Sequence, residues 1–231
     1  MVLMIYNEQI CKEILMPNVF NTDYHIRLSA RDYRLQEDIV LQMERGGKEW
    51  KLVSTKNYWI SEKGARKESH LIAEDDLIGI DTLTGEHLII MAAKDEINLH
   101  AMEKYDLSNV HELSIGRSDE STVNYSFMSL ISSTHAILRR ENAGWVLTDC
   151  SRNGIYCRNT RIHGKHVMRS GEQVEMFGLH MMIMGHVLLI GTNCGTLKVS
   201  EDLPRLMIEP YEPEPAASRT EKEISYFNRA P

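Results

Sequence analysis

The sequence predicts an all-β chain folded as two β-sandwich domains in tandem. Three observations carry this expectation. Short apolar runs recur between turn clusters, at Ile39-Val40-Leu41, His87-Leu88-Ile89-Ile90-Met91, Met181-Met182-Ile183-Met184 and Val187-Leu188-Leu189-Ile190. No long stretch sustains a helical period, and strands with turn signals at short intervals read as sandwiches. The chain also repeats itself with a period of about 95 residues, the kind of self-similarity that marks duplicated units.

The repeat divides the chain. Glu44-Arg45-Gly46-Gly47-Lys48-Glu49-Trp50-Lys51-Leu52 mirrors Arg139-Arg140-Glu141-Asn142-Ala143-Gly144-Trp145-Val146-Leu147. In both, a strand ends in charge, turns near Gly and re-enters with Trp-x-Leu. Upstream, Tyr24 to Leu28 mirrors Leu113 to Arg117, and downstream Asp75-Asp76-Leu77-Ile78 mirrors Gly171-Glu172-Gln173-Val174. The expected division is a first domain over 1–95, a second over 96–200 and a Pro/Glu-rich linker over 201–231.

In chain order, His25, Arg27 and Ser29 alternate with Ile26, Leu28 and Ala30, as on a half-buried strand. A short helical piece is expected between Asp95 and Met102, joining the domains. The apolar region from Met176 to Ile190 is broken by Gly178, His180, Gly185 and His186. It is too short and interrupted to span a bilayer and reads as two buried strands around a Gly185-His186 turn. After Glu201, Pro204, Pro210, Pro213 and Pro215 interrupt a Glu-rich run with no packing face. Before its proline-rich part, Leu203, Leu206, Met207 and Ile208 form an apolar island expected to pack back on the second domain.

Composition narrows the function classes. The 231 residues are 42% hydrophobic and 26% charged, with a net charge of −7, an ordinary globular balance. That charge argues against a general nucleic-acid-binding face but permits a local basic pocket, for which Arg117, Arg152, Arg158 and Arg161 are candidates. The four cysteines, Cys11, Cys150, Cys157 and Cys194, are scattered without Cys-x-x-Cys, which fits a reducing compartment. No cofactor motif is present; in particular there is no Gly-x-x-x-x-Gly-Lys-[Ser/Thr] phosphate loop. Ser132, His135 and Asp149 offer a nominal triad, but no Gly-x-Ser-x-Gly elbow accompanies them. His163-x-x-His166 with His180 has some metal-ligand character, yet no Cys or carboxylate completes a familiar spacing.

The chemistry concentrates in the second half. Ser114-Ile115-Gly116-Arg117, Ser132-Ser133-Thr134-His135-Ala136, Trp145-Val146-Leu147-Thr148-Asp149 and Ser151-Arg152-Asn153-Gly154 follow in this order. Arg117 offers a fork of donors matched to a phosphate, Ser132 and Ser133 offer hydroxyl donors, and Asn153-Gly154 signals a two-residue turn. These groups lie on separate loops, so a site exists only if the fold gathers the loop ends.

Over residues 105–190 this pattern resembles the forkhead-associated (FHA) domain, a β-sandwich that reads phosphothreonine on partner proteins. The resemblance implies phosphate contacts from Arg117 and Ser132, with Ser133 and Arg152 beside them, and a hold on the ligand main chain by Asn153. It assigns structural roles to Gly116, His135 and Gly154. Three positions depart from the family pattern. Arg152 stands where Thr or Ser is usual, Ile155 where Thr is usual and Arg158 where Asn is common. The first copy lacks the ligand residues: no Gly-Arg follows Ile26, no Ser-x-x-His precedes Val40, and Asn57-Tyr58-Trp59 falls where Asn-Gly is expected. It is therefore expected to dock or space rather than bind a phosphopeptide.

The tail carries a second resemblance. Tandem FHA-like domains, a Pro/Glu linker and Tyr226-Phe227-Asn228-Arg229-Ala230-Pro231 are similar to the N-terminal cytosolic region of the EssC/YukB membrane ATPases. These are FtsK/SpoIIIE-type motors of type VII secretion. That resemblance implies a non-catalytic, cofactor-free docking segment at the cytoplasmic face of a bacterial membrane. Transmembrane helices and ATPase domains would follow it, and protein components of the secretion system would be its partners. A stand-alone phosphopeptide adaptor or signalling regulator is the alternative with the same fold.

Overall fold

The computed structural model describes residues 1–17, 23–62, 64–94, 97, 101–126 and 129–207. The first half contributes β1 (Val2–Tyr6), β2 (Cys11–Leu15), β3 (Asp23–Leu28), α1 (Ala30–Tyr33), β4 (Ile39–Gly46), β5 (Glu49–Val53), β6 (Tyr58–Glu62), β7 (Ala65–Lys67), β8 (Ser69–Ile72), β9 (Leu77–Thr82) and β10 (His87–Ala93). They form a six-stranded sheet, β2-β1-β10-β9-β6-β7, facing a four-stranded one, β3-β4-β5-β8. Leu3, Ile5, Ile26, Leu41, Trp50, Tyr58 and Ile80 lie in the core between them.

The second half contributes β11 (Glu103–Asp106), β12 (Glu112–Gly116), β13 (Val123–Tyr125), β14 (Ala136–Glu141), β15 (Gly144–Asp149), β16 (Tyr156–Cys157), β17 (Thr160–Arg161), β18 (Lys165–Val167), β19 (Gln173–Met176), β20 (Leu179–Met184), β21 (Val187–Thr192) and β22 (Leu197–Val199). Its sheets run β11-β21-β20-β19-β16-β17 and β18-β15-β14-β12-β13-β22. The regular structure of the described residues is thus nearly all β, in two sandwiches.

The repeat is a repeat of structure. In β4–β5, Arg45 pairs with Trp50 and Gly46 with Glu49; in β14–β15, Arg140 pairs with Trp145 and Glu141 with Gly144. Both tryptophans are buried. The likeness extends to a pair not apparent from the aligned segments. His70, opposite Leu52, bonds Asp76 at 2.8 Å, and His166, opposite Leu147, bonds Glu172 at 2.8 Å. Each carboxylate also accepts a backbone N–H three residues upstream, from Ala73 and Arg169. The His–acid pair therefore braces the same turn in both sandwiches. Cys157 joins this pair in the second copy, the three donor atoms lying within 4.8 Å of one another. The histidine that meets a cysteine and a carboxylate is His166, without His163 or His180.

The Gly185-His186 turn joins β20 to β21 in register, with Met184 opposite Val187 and Gly185 at φ 62°. All four cysteines are free thiols. Most of the helical piece expected at 95–102 lies outside the described residues, as does the tail from 208 onward. The apolar island divides. Leu203 enters the second core and Leu206 N bonds Lys104 O at 2.7 Å along β11, but the Met207 side chain is 84% exposed. Extension along a sheet edge turns successive side chains to opposite sides, so only part of the island reaches the core. Ile208 is outside the described residues.

The two sandwiches meet through β1 and β10, whose opposite faces enter two separate cores. All five residues of β1 are buried. Leu3 and Ile5 face the first core, whereas Val2, Met4 and Tyr6 join the second, and β10 divides likewise, with Met91 and Ala93 turned to the second. A strand covered on both faces reads as an unbroken apolar run, which is why Val-Leu-Met-Ile-Tyr and Leu-Ile-Ile-Met-Ala-Ala show no alternation. Tyr6 stacks on Phe177 with ring centroids 4.5 Å apart, and its hydroxyl donates to Glu175. The Tyr156 hydroxyl donates to Asn7 O at 2.8 Å. Backbone bonds close the seam: Cys11 N to Asn159 O at 3.1 Å, and Arg161 N to Gln9 O at 2.8 Å.

Glu175 is buried there, and burial pushes its carboxyl up to about 7 against the bonds from Tyr6 and Gly178. A raised carboxyl pKa means the folded chain keeps a proton that the unfolded chain has released. Stability linked to Glu175 therefore falls as pH rises from about 4.5 to about 7. Glu175→Gln keeps the acceptor oxygen and removes the titration. Denaturant melts should show the variant gaining on the wild type across that window, by up to about 3 kcal/mol. A constant difference from pH 4 to 8 would contradict the assignment.

Candidate functional site

The candidate groups meet at one end of the second sandwich, where the β12–β13 loop, the segment before β14 and the β15–β16 loop converge. Gly116 closes β12. It has ordinary backbone angles, and its constraint is space: an added Cβ would lie 2.9 Å from Ser133 C and 3.0 Å from Thr134 Cα. This close approach lets Arg117 N bond Ser132 O at 2.9 Å and Ser118 N bond Ser133 O at 3.1 Å. Asn124, buried on β13, donates to Ser118 O at 2.8 Å and to Arg117 O at 3.3 Å, holding the turn from beneath. Sequence reasoning missed Asn124; a polar residue inside the Val-Asn-Tyr strand was the available signal.

Arg117 is exposed, and its Nε donates to Ile131 O at 3.1 Å, which fixes the stem and leaves the terminal nitrogens toward solvent. The Ser132 hydroxyl accepts Arg152 N at 3.2 Å, so its own proton is available for donation. Ser133 presents its side chain at the surface while its carbonyl is held by Ser118 and Ser121. The Arg152 side chain is exposed. Among the described residues neither Arg117 nor Arg152 makes an ion pair. Of the other two candidate arginines, Arg161 donates to Arg152 O at 3.2 Å and lies under the loop. Arg158 points elsewhere, 3.5 Å from Glu172.

Asn153 and Gly154 do not form a two-residue hairpin. They lie in the longer loop that carries the chain from β15 to β16, between sheets. Ser151 supports the bend: it bonds Asp149 through N and Oγ, and its Oγ accepts Gly154 N at 2.7 Å. Gly154 adopts φ +105°, where a side chain is strained, and a Cβ there would meet Arg161 Nε at 2.6 Å. Asn153 Nδ2 donates to Leu130 O at 2.8 Å, which orients the amide and leaves one N–H and the carbonyl for a ligand.

His135 ties the loops together from within. It is fully buried; Nδ1 accepts Ser132 N at 3.1 Å, and Nε2 lies 3.0 Å from Gly154 O. These partners require the neutral ring with its proton on Nε2. Burial holds the ring below its usual pKa, with the Gly154 bond opposing. The Ser132–His135–Asp149 triad is not assembled. His135 meets the Ser132 backbone rather than its hydroxyl, and Asp149 bonds Ser151.

Within the second sandwich, residues 113–176 match the family model described as FHA domain. FHA domains are protein–protein interaction modules that bind phosphopeptides, without catalytic chemistry. Among solved structures, the fold is similar to the N-terminal FHA domain from EssC, a component of the bacterial type VII secretion apparatus. That likeness covers 90% of this chain and 98% of that one, at 10% identity and a TM-score of 0.59. A slighter likeness, TM-score 0.28 at 17% identity over 50% of this chain and 27% of that one, is to Mycobacterium tuberculosis EmbR in complex with a low-affinity phosphopeptide; it adds nothing to the fold assignment. No curated protein sequence matches the chain. No helix among the described residues is long and apolar enough to cross a membrane.

His135→Ala leaves Ser132 N and Gly154 O unpaired and should lower the stability of the second sandwich by about 1–3 kcal/mol. Gly116→Ala should also destabilise it, because the obstruction is backbone. Urea unfolding reads both; a wild-type midpoint in His135→Ala would remove its bracing role. The folded ring refuses a proton that the unfolded chain accepts below about pH 6.5. The stability it contributes is therefore full at neutral pH and declines as pH falls through that value.

Proposed function

We propose that this chain is a non-catalytic docking segment whose second sandwich, over 96–200, binds phosphothreonine on a protein partner. Arg117 and Arg152 supply charge, Ser132 and Ser133 supply hydroxyl donors, and Asn153 holds the peptide main chain. The observation that carries the reading is that Arg117 and Arg152, both exposed and without an ion pair among the described residues, are each tied through their backbone N–H to Ser132, whose hydroxyl is left able to donate. A phosphothreonine brings close to two negative charges and three acceptor oxygens, which this donor set complements. Arg152 replaces the hydroxyl residue usual in the family with a longer, charged donor.

We further propose that the segment belongs to a type VII secretion ATPase of the EssC kind and lies at the cytoplasmic face of the membrane. The first sandwich, over 1–95, would serve docking, and 201–231 would lead toward membrane and motor regions. The similarity in fold to the EssC N-terminal FHA structure over 90% of the chain supports this reading, as does the tail resemblance. Coding sequence beyond residue 231 for hydrophobic segments and nucleotide-binding loops would support it, and a stop codon there would favour a free adaptor.

Titration with a phosphothreonine peptide library and its unphosphorylated control tests the binding claim. Phosphorylated peptides should bind selectively, and Arg117→Ala should weaken them by roughly 1.5–3 kcal/mol, the worth of a charge-assisted bond. Equal affinity for both libraries would leave a phosphate-independent docking module. Selective binding insensitive to Arg117→Ala would refute the pocket.

A further inference from the structure

The loop bearing Arg152 and Asn153 forms one wall of a cleft of about 660 Å³ between the sandwiches. Tyr6 and Phe177, stacked across the seam, contribute to its lining. Arg161 lies beside Arg152, and the first sandwich supplies Arg34 from the opposite side. Backbone bonds between residues 9–11 and 159–161 join the two walls, so the cleft is preformed.

Its charge is unbalanced. Arg34, Arg152 and Arg161 make no ion pair among the described residues. Among the described residues Arg34 has the neutral Gln9 amide as its side-chain partner, at 3.2 Å. The lining acids are Glu8, which is exposed, and Glu86, which accepts Gln36 N at 2.8 Å and the Thr84 hydroxyl at 2.9 Å and keeps its charge, so three guanidinium groups stand against two carboxylates and the cleft is net positive. His87 is committed to Asp81 at 2.7 Å. Arg34 itself sits at φ 53°, capping α1, a conformation uncommon for a residue with a side chain.

We propose that this cleft is the second half of the peptide site and receives an acidic segment flanking the phosphothreonine, with Arg34 as a specificity residue supplied by the first sandwich. The proposal rests on the phosphothreonine reading above. A peptide main chain held at Asn153 already touches the rim of the cleft, and three guanidinium groups in a chain of net charge −7 favour carboxylates there. The first sandwich, which lacks the ligand residues, thereby gains a part in recognition.

The test uses the whole chain and three short phosphothreonine peptides: one with glutamates before the phosphothreonine, one with glutamates after it, and one with glutamines on both sides. Fluorescence anisotropy should show one acidic peptide, the one whose glutamates run over Asn153, binding roughly fivefold or more tighter than the glutamine peptide. Arg34→Gln should abolish that preference and leave the glutamine peptide unchanged, whereas Arg117→Ala should weaken all three. Arg34 is exposed, and unchanged melting of Arg34→Gln would confirm an intact fold. Arg34→Lys should retain part of the preference. Equal binding of the three peptides, or a preference that survives Arg34→Gln, overturns the cleft proposal while leaving the phosphothreonine site intact. Failure of every phosphopeptide to bind overturns both.

Discussion

Burial of both faces of β1 is the constraint on which the rest of the molecule depends. The outer face of a sheet can stay polar, but Val2, Met4 and Tyr6 leave β1 apolar on the side away from its own core. The second sandwich covers that side, and its Phe177, Tyr156 and Glu175 are placed by the contact. Burying this surface favours two sandwiches packed together over two loosely tethered domains. A polar group enters with it, and the Tyr6–Glu175 bond offsets part of the cost of burying Glu175.

The same contact sets the geometry of the candidate site. The β16–β17 turn runs through Arg158 and Asn159, both left-handed, at φ 49° and 65°. Asn159 O then accepts Cys11 N, and Arg161 N reaches Gln9 O. Arg161 lies below Gly154 and donates to Arg152 O. A continuous path thus leads from the first sandwich to the loop that holds Arg152 and Asn153. Loops usually owe their mobility to sparse contacts; this one is fixed by His135 within and by Arg161 beneath.

The two copies show what a fold requires and what a site adds. Both keep the Trp hairpin, the sheet order around it and the His–acid turn brace. Only the second has Gly-Arg, Ser-x-x-His and Asn-Gly on converging loops. The brace is present in the first copy too, whose sequence lacks these residues, so His166 and Glu172 have a structural role.

The sequence by itself determined the class of fold, because strand periodicity and turn residues are local and the repeat doubled every signal. It determined the Gly116-Arg117, Ser132, His135 and Asn153-Gly154 grouping through residue order. Only the tertiary structure decided how those residues meet. The Asn153-Gly154 bend is a crossing between sheets because Ser151, Leu130 and His135 hold it, and none of those bonds is visible in a dipeptide. Arg158 was separated from the basic group by a left-handed turn that aims it at Glu172. The seam was legible only in part. The unbroken apolar run of β1 is the local trace of cover on both faces, which the sequence reading did not use, and its partners lie about 150 to 170 residues away in Tyr156 and Phe177, at a separation no local pattern encodes. The share of Arg34 in the cleft belongs entirely to that long-range packing.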